Sequence, residues 1–174
     1  MRSVLLLLAV ILLYACASPA SQITNSENAM KLTSPAFVEG KSIPSDYTCD
    51  GADRIPLLEM SDVPAGAKSL ALVVDDPDAP MGTWDHWVVW NIPPATKKID
   101  AQPPGVAGKN SWGRTNYGGP CPPSGTHRYF FKLYALDVLL DLPAGSNKAS
   151  LQEAVKGHIL TETQLMGTYQ RRKA

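Results

Sequence analysis

Two aspartates and two histidines stand out as residues that could do chemistry together. "DDPDAP" (Asp75 to Pro80) holds Asp76 and Asp78 on either side of Pro77, with Pro80 following. Proline fixes its own φ and pushes the preceding residue out of the helical region, so the two carboxylates sit in a stiff turn with little entropy to lose on binding. "WDHWVVWNIP" (Trp84 to Pro93) carries His86, and "GTHRYF" carries His127. Imidazole N–H groups donate to phosphate or carboxylate oxygens. The amides of Gly118 and Gly119 offer further donors for the same oxygens. In this reading the aspartates orient the imidazoles and raise their pKa, while Trp84, Trp87 and Tyr129 supply an apolar wall. The chemistry is oxyanion binding. Plainer readings stand beside it: Asp and Pro are common turn residues, and a histidine at a strand end is often only a hydrogen-bonded structural group. Two histidines with two aspartates could also ligate zinc in a metal-dependent hydrolase. The chain has no HExxH, GxSxG or CxxC motif, and "AGKN" lacks the features of a phosphate-binding loop.

The elements that must position these groups are mostly strands. "SLALVVDD" (Ser69 to Asp76) reads as a short buried strand, "HWVVWNI" as a second and "RYFFKLYALD" as a third. His86 and His127 open the second and third, so both imidazoles can reach one mouth of a sheet. The glycine- and proline-rich stretch between those strands has no period and predicts a long functional loop. "SLQEAVKG" predicts a short helix with a Ser150–Glu153 capping box and a stop at Gly157. "ILTETQLMGTYQR" fits either helix or strand. A single mainly β domain over residues 30–174 accommodates all of this.

Composition narrows the function classes. The 174 residues carry 16 basic and 16 acidic side chains, which removes the basic stripe that nucleic acid demands. Apolar residues make up 44% of the chain, enough for a core. At the N-terminus, "MRSVLLLLAVILLYAC" reads as a signal peptide over residues 1–16, with Leu13-Tyr14-Ala15-Cys16 similar to a bacterial lipobox in which Cys16 is lipidated. An ordinary secretory signal cleaved near "ACASPA" is the alternative. Residues 17–29 are small, polar and patternless, a flexible tether reaching typically about 20 Å. Either reading exports the domain to the cell envelope, lipid-anchored to a membrane on its periplasmic side or secreted. Cys49 and Cys121 then suggest a disulfide whose long loop is worth about 4 kcal/mol in the chain-entropy model, with two buried free thiols as the other option.

The blocks "SLALVVDDPDAP", "HWVVWNIP", "YGGPCPPSGTHRYFFKLYALD" and "HILTETQLMGTYQR" resemble the phosphatidylethanolamine-binding protein family, most closely its bacterial Raf-kinase-inhibitor-like branch, over Met30 to Arg171. The resemblance implies a large central antiparallel sheet packed on a smaller sheet, with one or two short C-terminal helices. It also implies a small anion pocket for phosphate-like or lipid-headgroup ligands, carried onto Asp76, Asp78, His86, Gly119, Pro120, His127 and Tyr129, with Arg128 in a structural ion pair behind it. Its "YTCDG" and "GPCPP" blocks agree with a Cys49–Cys121 bridge. No catalytic residue, cofactor or metal is implied. The expectation is a non-enzymatic binding module for a small anionic ligand. The alternative is an inhibitor or interaction protein for an extracytoplasmic kinase or peptidase. Two departures bear on the pocket: "IPLLEM" puts Met60 where relatives carry tryptophan, and the C-terminal gating helix of animal members is absent.

Overall fold

A computed structural model describes residues 29–171. The signal-like segment with Cys16, and the tether as far as residue 28, lie outside the described residues. The elements in chain order are β1 (Lys31–Thr33), β2 (Leu58–Ser61), β3 (Ser69–Asp76), β4 (Trp84–Ile92), β5 (Lys98–Ile99), β6 (Val106–Ala107), β7 (Thr126–Leu136), α1 (Lys148–Ala154) and β8 (Ile159–Gln170). A five-stranded antiparallel sheet has the order β6-β4-β3-β7-β8, and a three-stranded antiparallel sheet has the order β1-β2-β5. The mainly β architecture with a large and a small sheet and one short helix matches the fold expected from the sequence.

The large sheet is covered on both faces. Every residue of β3 is buried, which explains why its sequence runs apolar instead of alternating. One face carries Leu72, Val74, Trp87, Tyr129, Phe131 and Leu133, packed against Leu32, Leu58 and Met60 of the small sheet. The other carries Ala71, Val73, Val88, Trp90 and Leu136 under Leu151 of α1 and Val155, the residue that caps its C-terminus. Met60 is therefore a core residue between the sheets, 4% exposed.

One local expectation needs amendment and an open one is resolved. The helix starts earlier than the capping box suggested: Asn147 is the cap, extended at φ −89° and ψ 175°, and its side chain accepts from the Ser150 amide at 3.0 Å. Asn ranks with Ser as a cap, and here the backbone leaves the extended region at Asn147. Gly157 follows the helix at φ +79°, a left-handed conformation suited to glycine. The ambiguous tail is the twelve-residue strand β8, paired with β7 from Leu136↔Ile159 to Thr126↔Gln170. Its backbone hydrogen bonds to β7 decide the matter, which side-chain periodicity could not.

Candidate functional site

Strand direction assembles the site. β3 ends at Asp76 where its antiparallel neighbours β4 and β7 begin, with Asp76 opposite Trp84 and Asp75 opposite Phe130. Alternation on β7 turns His127 and Tyr129 to the face shared with the small sheet, and Arg128 and Phe130 to the other. On β4 alternation alone fails. Val74 pairs with Trp87 but Asp75 pairs with Asp85, so His86 is an extra residue in a β-bulge. The bulge lets His86 and Trp87 share the face of Tyr129, while Asp85 joins Asp75 behind the sheet.

His86 is 2% exposed. Its Nδ1 lies 2.7 Å from the Gly118 carbonyl, and a carbonyl can only accept, so Nδ1 carries the proton and Nε2 is left with its lone pair in the neutral ring. The ring stands edge-on to Trp112 (centroids 5.0 Å) and Tyr129 (5.2 Å). Burial lowers its pKa below the ordinary 6.5, against the opposing pull of the Gly118 carbonyl and the Asp76 charge. This amends the expectation that the aspartates hold both imidazoles charged: for His86 desolvation wins.

His127 is 6% exposed and donates from Nδ1 to Asp76 Oδ2 at 2.7 Å. Asp76, 3% exposed, accepts the Asp78 amide on its other oxygen at 2.8 Å, so one carboxylate fixes both the ring and the proline turn. The Asp78 carboxylate is engaged elsewhere. Arg128 donates to it from Nε at 2.9 Å, from a terminal guanidinium nitrogen at 2.7 Å and from its backbone amide at 2.9 Å. Those bonds hold the Asp78 carboxyl down to about 2. Asp78 thus locks the turn to β7 through Arg128.

The glycine loop works differently from the donor cradle the sequence suggested. The Gly118 amide donates to the His86 carbonyl at 3.2 Å, and the Gly119 amide to Asp53 Oδ1 at 2.6 Å. Both are engaged inside the protein. A Cβ on Gly118 would lie 2.7 Å from the Trp112 ring, and one on Gly119 would overlap the Tyr47 carbonyl, so the loop needs glycine for close approach. The Pro120 carbonyl accepts the Cys49 amide at 3.1 Å, next to the Cys49–Cys121 disulfide. Tyr129 is fully buried; burial foremost, then the Asp76 charge, pushes its phenol up, and its hydroxyl has no hydrogen-bond partner among the described residues. Of the aromatic wall, Trp84 stacks edge-on with Trp112 at 5.4 Å, whereas Trp87 is inside the core against Tyr117 at 5.7 Å.

Several residues here escaped the sequence reading. Asn110 braces the loop, accepting from the Trp112 and Arg114 amides and donating to the Asn116 carbonyl. Asp53, at φ +53°, reaches Gly119 across a large gap in sequence. Trp112 closes over His86, and a lone tryptophan in a glycine-rich loop was the available signal for it. Among the described residues no group of three or more His, Cys, Asp or Glu is arranged to hold a metal ion. Asp76 and Asp78 are already bound to His127 and Arg128.

Residues 33–170 match the family model "Phosphatidylethanolamine-binding protein". A UPF0098 protein of Methanothermobacter thermautotrophicus is 49% identical over 150 residues, covering 82% of this chain and 99% of its own. Among solved structures, a phosphatidylethanolamine-binding protein homologue from Chlamydia trachomatis superimposes with a TM-score of 0.81 at 47% identity, covering 83% of this chain and 99% of the other. Escherichia coli YbcL, described as a member of the mammalian PEBP family, gives 0.76 at 31% identity over 82% of this chain and 99% of its own.

Proposed function

This chain belongs to the phosphatidylethanolamine-binding protein family, whose members are in general non-catalytic binding proteins; from that premise we propose that it binds a phosphate-like group, free or on a lipid headgroup, between His86 and His127. The observation that carries the reading is the pair of buried imidazoles at one end of the sheet, each with Nδ1 tied to a fixed acceptor. With Nδ1 engaged on each ring, Nε2 is the nitrogen left for a ligand. Neutral His86 accepts a hydrogen bond from a P–OH group, and His127, oriented by the Asp76 carboxylate, donates from Nε2 in its protonated form to P–O⁻. One acceptor beside one donor suits a singly protonated phosphate. Tyr129 and Trp112 exclude water around the rings, which strengthens both bonds.

Calorimetric titration of wild type and His127→Ala with inorganic phosphate and with phosphoethanolamine tests this. The expectation is at least tenfold weaker binding by the variant, because a charge-assisted bond is worth roughly 1.5–3 kcal/mol. Equal affinities for both proteins would remove the site.

The same proposal puts the domain at the cell envelope, tethered through lipidated Cys16. The Cys49–Cys121 disulfide supports an oxidising compartment. Membrane fractionation of wild type and Cys16→Ser tests it; a variant that stays with the membrane fraction would contradict the anchor.

A further inference from the structure

The sheet order leaves β8 at an edge, with β7 on one side only. The second half of the other side is covered by residues 40–43. Gly40 donates to the Met166 carbonyl and Ile43 to the Thr168 carbonyl, each at 2.8 Å. In return the Thr168 amide donates to the Lys41 carbonyl and the Met166 amide to the Glu39 carboxylate. Met166 and Thr168 therefore turn their backbone groups away from β7. Alternation does the same for Glu162 and Gln164, because the pairing with β7 is regular from Thr161 to Gln170. No described residue pairs with that outward side of Glu162 or Gln164. Proteins ordinarily blunt such an edge with lysine, proline, a bulge or a covering segment. Between the bulge at Leu160 and the cover at Met166, the stretch "TETQL" has only the Glu162 charge.

We propose that a second copy of this chain pairs there, β8 against β8 about a two-fold axis at Thr163, joining the two large sheets into one. Elimination fixes the register. With Glu162 at the axis, two carboxylates would stand directly opposite each other. With Gln164 at the axis, Glu162 would need the outward side of Met166, which Glu39 and Gly40 occupy. With Thr161 at the axis, the pairing would enlist Leu160, displaced in the bulge. Thr163 at the axis sets Glu162 of one copy opposite Gln164 of the other. The Gln164 side-chain amide then donates to the Glu162 carboxylate, and each such pair exchanges both backbone bonds. The exposed apolar side chains follow the same symmetry. Val38, 63% exposed, stands beside the covered end of the edge near Gln164 and Leu165, and Leu160, 45% exposed, stands at the other end. The two-fold brings Val38 of each copy to Leu160 of the other, a match that an unrelated strand has no reason to carry.

Cysteine cross-linking of the full chain tests this, in a Cys16→Ser background so that no other free thiol competes, Cys49 and Cys121 being bonded to each other. In Thr163→Cys the new thiol lies opposite its own copy in a non-hydrogen-bonded pair. The Cα atoms there are about 4.5 Å apart, within the roughly 4.4–6.8 Å that a disulfide spans. In Thr161→Cys the thiol faces Leu165 of the other copy instead. The expected result, on a non-reducing gel after mild oxidation, is a dimer band at least about tenfold stronger from Thr163→Cys than from Thr161→Cys. Adding Gln164→Glu to Thr163→Cys sets carboxylate against carboxylate and should cut the yield several-fold. Adding Gln164→Lys sets ammonium against carboxylate and should keep or raise it. The proposal is overturned if Thr163→Cys gives no dimer, if Thr161→Cys gives as much, or if the two Gln164 variants give equal yields. Phosphate binding between His86 and His127 enters none of these outcomes.

Discussion

Asp75 and Asp76 are consecutive, chemically identical and equally buried, yet the strand turns them to opposite faces of the sheet and into different work. Asp76 meets an imidazole and a backbone amide. Asp75 meets two lysine ammoniums, and Lys148 carries the contact on to Asp85. Lysine stays charged across the physiological range, so the α1 face is a fixed clamp joining β3, β4, β7 and the helix. An imidazole has two ring nitrogens, and with Nδ1 of His127 on Asp76 its Nε2 is left for another partner, so the other face can serve recognition. The partner, more than the carboxylate, decides whether a buried acid serves stability or recognition.

The strongest challenge to this contrast is Lys148→Met. It leaves Asp75 and Asp85 without their shared cation, and urea unfolding should register a loss of about 3 kcal/mol, at the low end for a broken buried pair because Lys132 remains. Phosphate affinity should hardly move; a variant of normal stability that no longer bound phosphate would reverse the assignment of the two faces. Asp76→Asn should cost less, about 2 kcal/mol, since the amide keeps one acceptor but sets an N–H₂ against a neighbouring donor. Here phosphate binding should fall sharply, which a direct titration reads.

Asp78→Asn sharpens the comparison from the rim. Its carboxyl is held at about 2 against an ordinary 3.8 by the half-exposed Arg128, worth about 1 kcal/mol once solvent screening is allowed for. The sign follows from linkage: the contribution is present above pH 3.8 and is lost as pH falls through about 2, so acid unfolding curves of wild type and variant should converge there. The smallest effect belongs to His86. Its folded pKa lies below the unfolded 6.5, so the unfolded chain binds the proton more readily, and stability should decline as pH falls from 6.5 towards the depressed value. In His86→Gln that part of the slope should vanish. A slope of the same size in the variant would show that burial does not hold this ring neutral.

Much of this was legible because long, strongly patterned strands leave a signature. β3 and β7 stand out as an apolar run and an aromatic alternation, and their ends located His127 and Asp76. β4 was legible apart from its first two residues, Trp84 and Asp85. Strands of two to four residues, such as β5, β6 and β2, are too short to show a period, and β8 is polar along most of its length because one face is open. The site was half visible. Its residue types could be read, but whether an amide or carboxylate faces a ligand depends on what else competes for it. Asp53 takes the Gly119 amide and Arg128 takes Asp78, and Asp53 in particular is remote in the chain from what it binds. Lys148 gave no signal, since a lysine on a short helix ordinarily points to water. The adjacent Asp75 and Asp76 did carry one, because strand alternation alone sends them to opposite sides.

The supernumerary residue of β4 has a consequence for anyone transplanting this site. Copying His86 onto a uniform ladder beside β3 would send its ring to the back of the sheet, away from His127 across β3, because a regular register offers that position only to the back. The single-residue slip must travel with them, since a regular register that kept every residue would set His86 opposite Asp75 and turn Asp85 to the front in its place.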